Sequence, residues 1–412
     1  MRVEHLSLTD FRNYGRADVE LVAGHNLIIG RNGQGKTNLV EAIAYFSSLR
    51  SHRVSQESAL IRMGQESAVL RMRVVANGRT GLLESQINRG AGNRAQVNRN
   101  AVKPRELTRW FSSVAFAPED LTIVRGEPAL RRRLLDEVLV MRNPSLAGIL
   151  ADYDRVVRQR NSLLKSARAS GVRTAADATL GVWDDQLVEL GSRIQFERRS
   201  LVSLLTRPVQ EAYAALVGAD HAPKLRLLES GEPEPSAARS TPSPSGADVS
   251  RETERADPAG DDSGLRSDGR GADDGVSRET LALRLRDTLS RLRHQEYDRA
   301  VTLAGPHRDD ALFELNGLPV KGYASHGESW SFILSLRLAI AETLRVESIA
   351  GDPVIILDDV FAELDADRRS RLMSAVSGYE QVIVTAAVEE DVPSDHSWHR
   401  IRIAGGEVLD AH

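Results

Sequence analysis

A glycine-rich stretch near the N-terminus constrains this chain more than any other feature. It reads Gly-Arg-Asn-Gly-Gln-Gly-Lys-Thr and fits the pattern G-x-x-x-x-G-K-[ST]. Glycines let backbone N–H groups turn toward an anion, the lysine reaches phosphate oxygens, and the threonine hydroxyl is a ligand for Mg²⁺. We therefore predict a site for a nucleoside triphosphate, ATP, formed by Gly30, Arg31, Asn32, Gly33, Gln34, Gly35, Lys36 and Thr37.

The flanks of this stretch supply the context that a phosphate-binding loop requires. Residues 26–29 form a short apolar strand, and Leu39, Val40, Ile43 and Phe46 recur behind the loop at helical spacing. The N-terminus of that helix would face the phosphates. A glycine-rich turn that carries Lys-Thr by chance is the alternative, and the strand–loop–helix order disfavours it.

A second segment, far along the chain, supplies the carboxylates that a magnesium-dependent ATPase needs. Residues 353–359 are an apolar strand that ends in paired acids. We predict that Asp358 binds Mg²⁺ with Thr37, and that Asp359 polarises the attacking water. Thr385 ends the next apolar strand and is expected to sense the γ-phosphate. The alternative is that two acids simply end a strand at the surface.

A third segment carries a serine and a glycine at the start of an apolar helix. Ser325 and Gly327 precede the acidic strand, and a helix start of this type attracts anions. Because one loop already binds the phosphates in cis, we expect these two residues to contact the γ-phosphate of a partner's ATP. An ordinary helix N-cap is the alternative for Ser325.

The separation of these segments determines the expected organisation. The lysine and the paired acids lie at opposite ends of the chain, so an α/β head must be assembled from both ends. We predict an N-terminal part of the head at 1–127, a mainly helical lobe at 128–228, a disordered acidic insert at 229–280, and the rest of the lobe and head at 281–412. In the N-terminal part, Asn77-Gly78 predicts a hairpin, and 88–103 is expected to be a solvent-facing loop.

Composition limits the function classes. The chain has no cysteine, so disulfides and thiolate metal sites are excluded. No apolar run approaches the roughly 20 residues that span a bilayer, and the N-terminus lacks the apolar core of a signal peptide. A cytoplasmic protein without membrane contact is therefore expected. The insert holds 13 acids and 6 bases, so the remainder of the chain has a net charge of +3, which permits contact with nucleic acid. The insert contains the pentapeptide Val-Ser-Arg-Glu-Thr twice, at 249–253 and 276–280, by slippage or as a docking motif.

Several further motifs, in order, resemble the ATP-binding-cassette heads of SMC-type repair ATPases, and specifically the RecF family. The matching segments cover the chain from residue 1 to about 230 and from 281 to the end. They are Phe11-Arg12-Asn13-Tyr14, Asn32 to Asn38, Ser51-His52-Arg53, Ala117-Pro118-Glu119-Asp120-Leu121, Gly305-Pro306-His307-Arg308-Asp309-Asp310 and Leu357 to Asp365.

The resemblance implies an ABC/SMC-like P-loop ATPase head with an inserted, mainly helical lobe. It also implies a role in recombinational repair and replication restart. Such proteins bind gapped DNA near junctions of single strand and duplex, and sandwich ATP between two heads of a homodimer. They hydrolyse ATP slowly and act with RecR and RecO to load RecA. Two features depart from the family pattern. The segment that begins at Ser325 has Glu328 where glutamine is usual and lacks a basic residue near Trp330, and the disordered insert is the second departure.

Three functions are compatible with these motifs. They are an ATP-gated DNA-binding repair protein, an ATPase subunit that energises a membrane transporter, and a structural clamp whose hydrolysis is incidental. The long interval between the two halves of the site argues against the transporter. The segment 11–14 is either a plain hairpin end or a contact to the base or ribose. Candidate DNA contacts, each with a solvated helix face as the alternative, are Arg131, Arg132, Arg133, Arg155, Arg158 and Arg160.

Overall fold

The computed structural model describes residues 1–51, 53–54, 56–171, 174–230, 276–348, 350–394 and 396–411. Its strands are β1 (Arg2–Phe11), β2 (Tyr14–Glu20), β3 (Gly24–Ile29), β4 (Ser67–Ala76), β5 (Arg79–Asn88), β6 (Arg94–Val97), β7 (Asn100–Val102), β8 (Ser113–Phe116), β9 (Lys224–Leu228), β10 (Asp310–Leu315), β11 (Leu318–Pro319), β12 (Val354–Asp358), β13 (Gln381–Ala386), β14 (His399–Ala404) and β15 (Glu407–Ala411). Its helices are α1 (Lys36–Ser48), α2 (Leu121–Arg125), α3 (Pro128–Arg142), α4 (Leu146–Ser170), α5 (Thr174–Val217), α6 (Arg278–Arg299), α7 (Val320–Tyr323), α8 (His326–Glu347) and α9 (Ala366–Val376).

The central sheet is built from both ends of the chain. Its strand order is β15-β14-β3-β13-β12-β8, and all neighbours except β15 and β14 pair in parallel. Every residue of β12 and β13 is buried, as expected for strands covered on both faces. N-terminal β3 therefore lies directly beside C-terminal β13, which brings the glycine-rich loop to the edge where the acidic strand ends.

A six-stranded antiparallel sheet, ordered β2-β1-β4-β5-β6-β7, covers the other side of α1. The hairpin at Asn77-Gly78 is confirmed, and both of its turn residues have positive φ. The prediction of a loop over 88–103 is wrong, because β6 and β7 continue the sheet there. Ala95 and Val97 are buried in the core, while the polar residues beside them are wholly or partly exposed. This alternation is too short to detect in the sequence.

The helices between the two halves of the head divide between two cores. The first half of α5 packs with α4 and α6 around Tyr153, Leu187 and Leu289. The second half of α5, around Leu205 and Tyr213, shares its core with α8 and the central sheet. The inserted lobe is thus continuous with the head through one long helix.

Most of the acidic insert lies outside the described residues, including the first copy of the repeated pentapeptide. The described ends of the predicted insert, residues 229–230 and 276–280, are folded, so the prediction of disorder is wrong for these residues. Glu229 pairs with Arg199 at 2.5 Å, and Ser230 donates to Asp309 from its backbone N–H at 2.8 Å. At the other end Ser277 caps α6, so the second pentapeptide copy begins a helix. The sequence did not predict these tertiary contacts, because the residues that form them are few and polar and adjoin a segment whose composition is typical of disorder.

Candidate functional site

The glycines of the loop between β3 and α1 are required by close packing and by backbone conformation. A Cβ at Gly30 would lie 2.5 Å from the carbonyl oxygen of Ile403. Gly33 has a φ of +79° and Gly35 a φ of +114°, and a Cβ at Gly35 would lie 2.6 Å from the Tyr14 hydroxyl. The loop therefore turns tightly under its neighbours and presents backbone N–H groups at the N-terminus of α1.

Neighbouring elements hold the polar side chains of this loop. The Gly405 N–H donates to the Gln34 side-chain oxygen, and the Asn13 amide donates to the Gln34 backbone oxygen at 3.3 Å. Lys36 is buried, with Nζ 3.4 Å from Asn32 Oδ1. Arg31 is exposed at the mouth of the loop. A buried ammonium next to an array of N–H donors favours binding of a polyphosphate.

The acidic pair at the end of β12 lies directly opposite the loop. Thr37 Oγ1 donates to Asp358 Oδ1 at 3.2 Å, and Lys36 Nζ lies 3.8 Å from Asp359 Oδ1. Burial raises the pKa of Asp358 to about 6, and the neighbouring charge of Asp359 adds to this effect. Burial likewise raises the pKa of Asp359, while the charge of Lys36 acts in the opposite direction. Two acids destabilised by burial are suited to a divalent cation.

The residues predicted to hold Mg²⁺ have the right chemistry for that ion. A hydroxyl and a single carboxylate face each other in the contact between Thr37 and Asp358, and both are hard oxygen ligands. In the part of the chain that the structure describes, no group of three or more His, Cys, Asp or Glu side chains forms a metal cage. Mg²⁺ in ATPases takes its other ligands from phosphates and water, so this sparse donor set fits the ion.

Thr385 lies at the predicted strand end, where its hydroxyl is engaged with the acidic pair. Its Oγ1 donates to Asp358 Oδ1 at 2.6 Å and accepts from the Asp359 backbone N–H at 2.9 Å. Thr385 is fully buried, so its hydroxyl fixes the orientation of the Asp358 carboxylate. Its predicted contact with the γ-phosphate stays a prediction.

Sequence reasoning missed one acid near this centre. Glu119 follows β8, the strand parallel to β12, and its charge contributes to the raised pKa values of Asp358 and Asp359. Arg53 Nε lies 3.6 Å from Glu119 Oε1. The motif 117–121 was recognised only as a family mark, although an acid directly after a buried parallel strand was the available signal.

The serine and glycine at the start of α8 lie in a well-formed cap. Ser325 Oγ accepts from the Glu328 N–H at 3.2 Å, and Glu328 Oε2 accepts from the Ser325 N–H at 2.8 Å. This reciprocal capping box holds the unusual carboxylate against its own helix and lowers its pKa. Gly327 packs against Arg368, whose Nη1 would lie 3.3 Å from a Cβ added at this position, and Trp330 is buried.

The chain is similar to known proteins over almost its whole length. The family described as the RecF/RecN/SMC N terminal domain matches residues 2–406. Two proteins described as DNA replication and repair protein RecF, from Leifsonia xyli subsp. xyli and Clavibacter michiganensis subsp. michiganensis, are each 54% identical to this chain over its whole length and cover 100% and 96% of their own. The chain belongs to the RecF family.

Solved structures agree with this assignment. A structure of the recombination mediator protein RecF-ATP in the RecFOR pathway is 26% identical, with a TM-score of 0.80 and coverage of 100% of this chain and 97% of that one. An Smc head domain from Pyrococcus furiosus is 14% identical with a TM-score of 0.50, and covers 99% and 95%, which supports the fold. The predicted ABC/SMC-like ATPase head is thus confirmed. Within the described residues, no helix is long and apolar enough to cross a membrane.

The hairpin at 11–14 of this RecF-family chain is mainly structural. Phe11 and Tyr14 are fully buried, and Arg12 binds Glu41 of α1 through two contacts at 2.9 and 2.6 Å. These side chains are therefore not available to stack on a base. Asn13 donates to the phosphate loop, the Tyr14 hydroxyl packs against Gly35, and a groove beside Asn13 is lined by the exposed Met63.

The prediction of DNA contact is wrong for two of the six arginines. Arg160 is fully buried between Asp184 and Glu296, and Arg131 is 5% exposed and binds Asp310 at 2.8 Å through two nitrogens. Helical periodicity could not reveal these partners, because the acids lie on other elements. The remaining four divide evenly: Arg132 and Arg133 donate to backbone oxygens of Asp309 and Ser51, and Arg155 and Arg158 are exposed on α4.

Proposed function

We propose that this RecF-family protein is an ATP-gated DNA-binding protein of recombinational repair and replication restart. ATP and Mg²⁺ join two heads, the dimer holds DNA, and slow hydrolysis releases it. The observation that carries the proposal is the juxtaposition of Lys36, Thr37, Asp358 and Asp359 from opposite ends of the chain. A match in fold and sequence to a protein solved with ATP supports it.

The residues of the cis site divide the work. The loop amides and Lys36 bind the phosphates, with Gly30 to Gly35 allowing the close approach. Thr37 and Asp358 hold Mg²⁺, which neutralises charge that develops on the phosphates. Asp359 orients and polarises the attacking water, and Thr385 fixes Asp358 and senses the γ-phosphate. Burial of Asp358 favours Mg²⁺ binding, because the cation compensates a charge that is costly in isolation.

The trans site is proposed at Ser325 and Gly327. ATP bound to one head would be closed over by α8 of the other, with the Ser325 hydroxyl and the first N–H groups of the helix facing the γ-phosphate. The Ser325 N–H holds the Glu328 carboxylate against its own helix, although the carboxylate keeps its negative charge. The same contact keeps the helix start rigid before the partner arrives.

DNA contact is proposed to involve a basic edge of the antiparallel sheet, defined as Arg94, Arg99, Arg105 and Arg109. Residues 94–109 hold five cations and one acid. All four arginines are exposed, and none has a carboxylate partner among the described residues. Phosphate contacts of this kind weaken steeply with salt. Arg155 and Arg158 on α4 are the remaining candidates in the helical lobe.

The biological partners follow from the family. We infer a preference for gapped duplex at junctions with single strands, stimulation of the weak ATPase by DNA, and cooperation with RecR, and through it RecO and RecA, in the cytoplasm. The matched solved protein is described as a mediator of the RecFOR pathway, which supports this inference. The transporter alternative is disfavoured by the same family match, while a structural clamp with incidental hydrolysis would differ only in its response to ATP.

A single substitution tests the trans site. Ser325→Arg places a bulky cation at an exposed cap, so it should leave ATP binding by the monomer unchanged but abolish ATP-induced dimers in light scattering. Ser145→Arg is the matched control, since Ser145 begins α4 without capping it through its side chain. Dimers of Ser325→Arg that persist at the level of the control would remove Ser325 from the interface.

A further inference from the structure

Helix α8 carries no lysine or arginine in its first two turns. Trp330 occupies that part of the helix, and its ring is 2% exposed within the core. The helix start also carries the extra carboxylate of Glu328, which stays ionised because the Ser325 cap lowers its pKa. A γ-phosphate approaching this face would therefore meet a negative charge with no compensating residue on α8.

A guanidinium from another element lies at this face. Arg125 ends α2, and its Nε and Nη2 lie 3.4 and 3.3 Å from the Ser329 hydroxyl. Its Nη1 lies 3.5 Å from Nδ1 of His326, on the exposed side. Ser329 in turn donates to the Ser325 backbone oxygen at 2.8 Å. These contacts hold the guanidinium beside the cap without pairing it with a carboxylate.

Two other basic side chains at the face lie near carboxylates. Arg368, which packs on Gly327, lies 3.7 Å from Asp365, and His326 lies 3.7 Å from Glu363. Arg125 has no carboxylate within ion-pair distance in the described part of the chain. Its guanidinium, which reaches Ser329 and His326 of α8, is thus available to an incoming anion, whereas the Lys321 ammonium binds the Gly126 carbonyl oxygen.

We propose that Arg125 supplies the positive charge of the trans site at Ser325 and Gly327, and that it contacts the γ-phosphate of the partner's ATP. This inference rests on the proposed ATP sandwich and names the residue that makes it electrostatically favourable. Because α2 directly follows Glu119, the same short segment would connect each head's own magnesium site to the nucleotide of its partner. Arg125 acts here as a ligand of the phosphate, and it compensates Glu328.

The first test measures dimers in an Asp359→Asn background, which slows hydrolysis. Arg125→Gln should weaken ATP-induced dimerisation by about a hundredfold to ten-thousandfold, because each homodimer loses two charge-assisted hydrogen bonds that are each worth about tenfold to a hundredfold; the ATP affinity of the monomer should be unchanged. Arg125→Lys should recover part of the affinity. Arg291→Gln, which removes an exposed intrahelical ion pair, is the control. Arg125→Gln dimers as tight as the control would overturn the proposal.

A mixing experiment separates a trans role from a structural one. In a heterodimer of Arg125→Gln with Lys36→Ala, the one competent nucleotide site faces an intact Arg125 from the partner. Hydrolysis by the mixture should therefore exceed the sum of the separate proteins. A mixture of Ser325→Arg with Lys36→Ala should recover in the same way. Recovery in this second mixture alone would refute Arg125, whereas failure of the unsubstituted chain to dimerise with ATP would refute the proposed function itself.

Discussion

Replacement of Arg160 by methionine distinguishes a structural role from DNA contact. Arg160 is fully buried, with Nε 2.8 Å from Asp184, Nη2 2.6 Å from Glu296 and Nη1 2.9 Å from the Thr302 hydroxyl. Methionine replaces the apolar stem of the arginine and removes the charged end of the guanidinium. Two buried carboxylates then lose their shared cation, which is more costly than losing the ion pair of an exposed arginine.

The magnitude follows from the number of contacts that survive. Breaking one buried pair costs about 3–5 kcal/mol. The second acid does not double the loss, because Glu296 Oε1 still accepts from the Leu303 N–H at 2.9 Å and Asp184 still binds Arg293. We therefore expect the free energy of unfolding to fall by about 3–5 kcal/mol. With a urea dependence near 3 kcal/mol/M, the unfolding midpoint shifts by about 1 to 1.7 M.

Urea unfolding followed by circular dichroism measures this shift. Arg155→Met is the matched control: Arg155 lies on the same helix, is 65% exposed, and forms an exposed ion pair with Asp152, so its loss should cost less than about 1 kcal/mol. Adding Glu296→Gln to Arg160→Met should recover part of the stability. A wild-type midpoint for Arg160→Met, combined with loss of DNA affinity, would refute the structural role.

Three further predictions concern the nucleotide site and His307, which lies between α6 and β10. Lys36→Ala should abolish ATP binding in a fluorescence titration, and unchanged affinity would exclude the loop as the phosphate site. Asp359→Asn should keep ATP binding and slow hydrolysis by about a hundredfold or more; an unaffected turnover would assign the base elsewhere. His307 has a pKa lowered to about 4 by burial, accepts from Tyr153 at 2.8 Å, and is therefore held neutral. Since an unfolded histidine titrates near 6.5, stability should fall by at most about 3 kcal/mol as the pH drops from about 6.5 to about 4, and His307→Gln should flatten this dependence in urea unfolding.

The sequence predicted those parts of the molecule whose signals are local. The loop at 30–37, the acidic strand end and the hairpin at Asn77-Gly78 each depend on residues adjacent in the chain. The union of the two ends into one head was also predictable, because the two halves of one chemical site must meet. The strand order and the pairing of β3 with β13 realise that requirement.

The features that escaped prediction depend on contacts between distant residues. Arg160 and Arg155 look alike in a helical pattern, and only the positions of α5 and α6 separate a buried ion pair from an exposed one. The Glu328 cap is local, whereas Arg125, the proposed partner of the γ-phosphate at the same helix start, lies 203 positions earlier in the chain. β6 and β7 were missed because two small inward-facing residues give too weak an alternation.

The central claim is that ATP joins two of these heads and that the joined form holds DNA. Light scattering of the purified protein, with and without ATP–Mg²⁺ and with and without a gapped duplex, tests it directly. The account predicts a monomer without ATP, a dimer with ATP–Mg²⁺, and tighter association of that dimer with the gapped duplex. A protein that stays monomeric under all four conditions would contradict it.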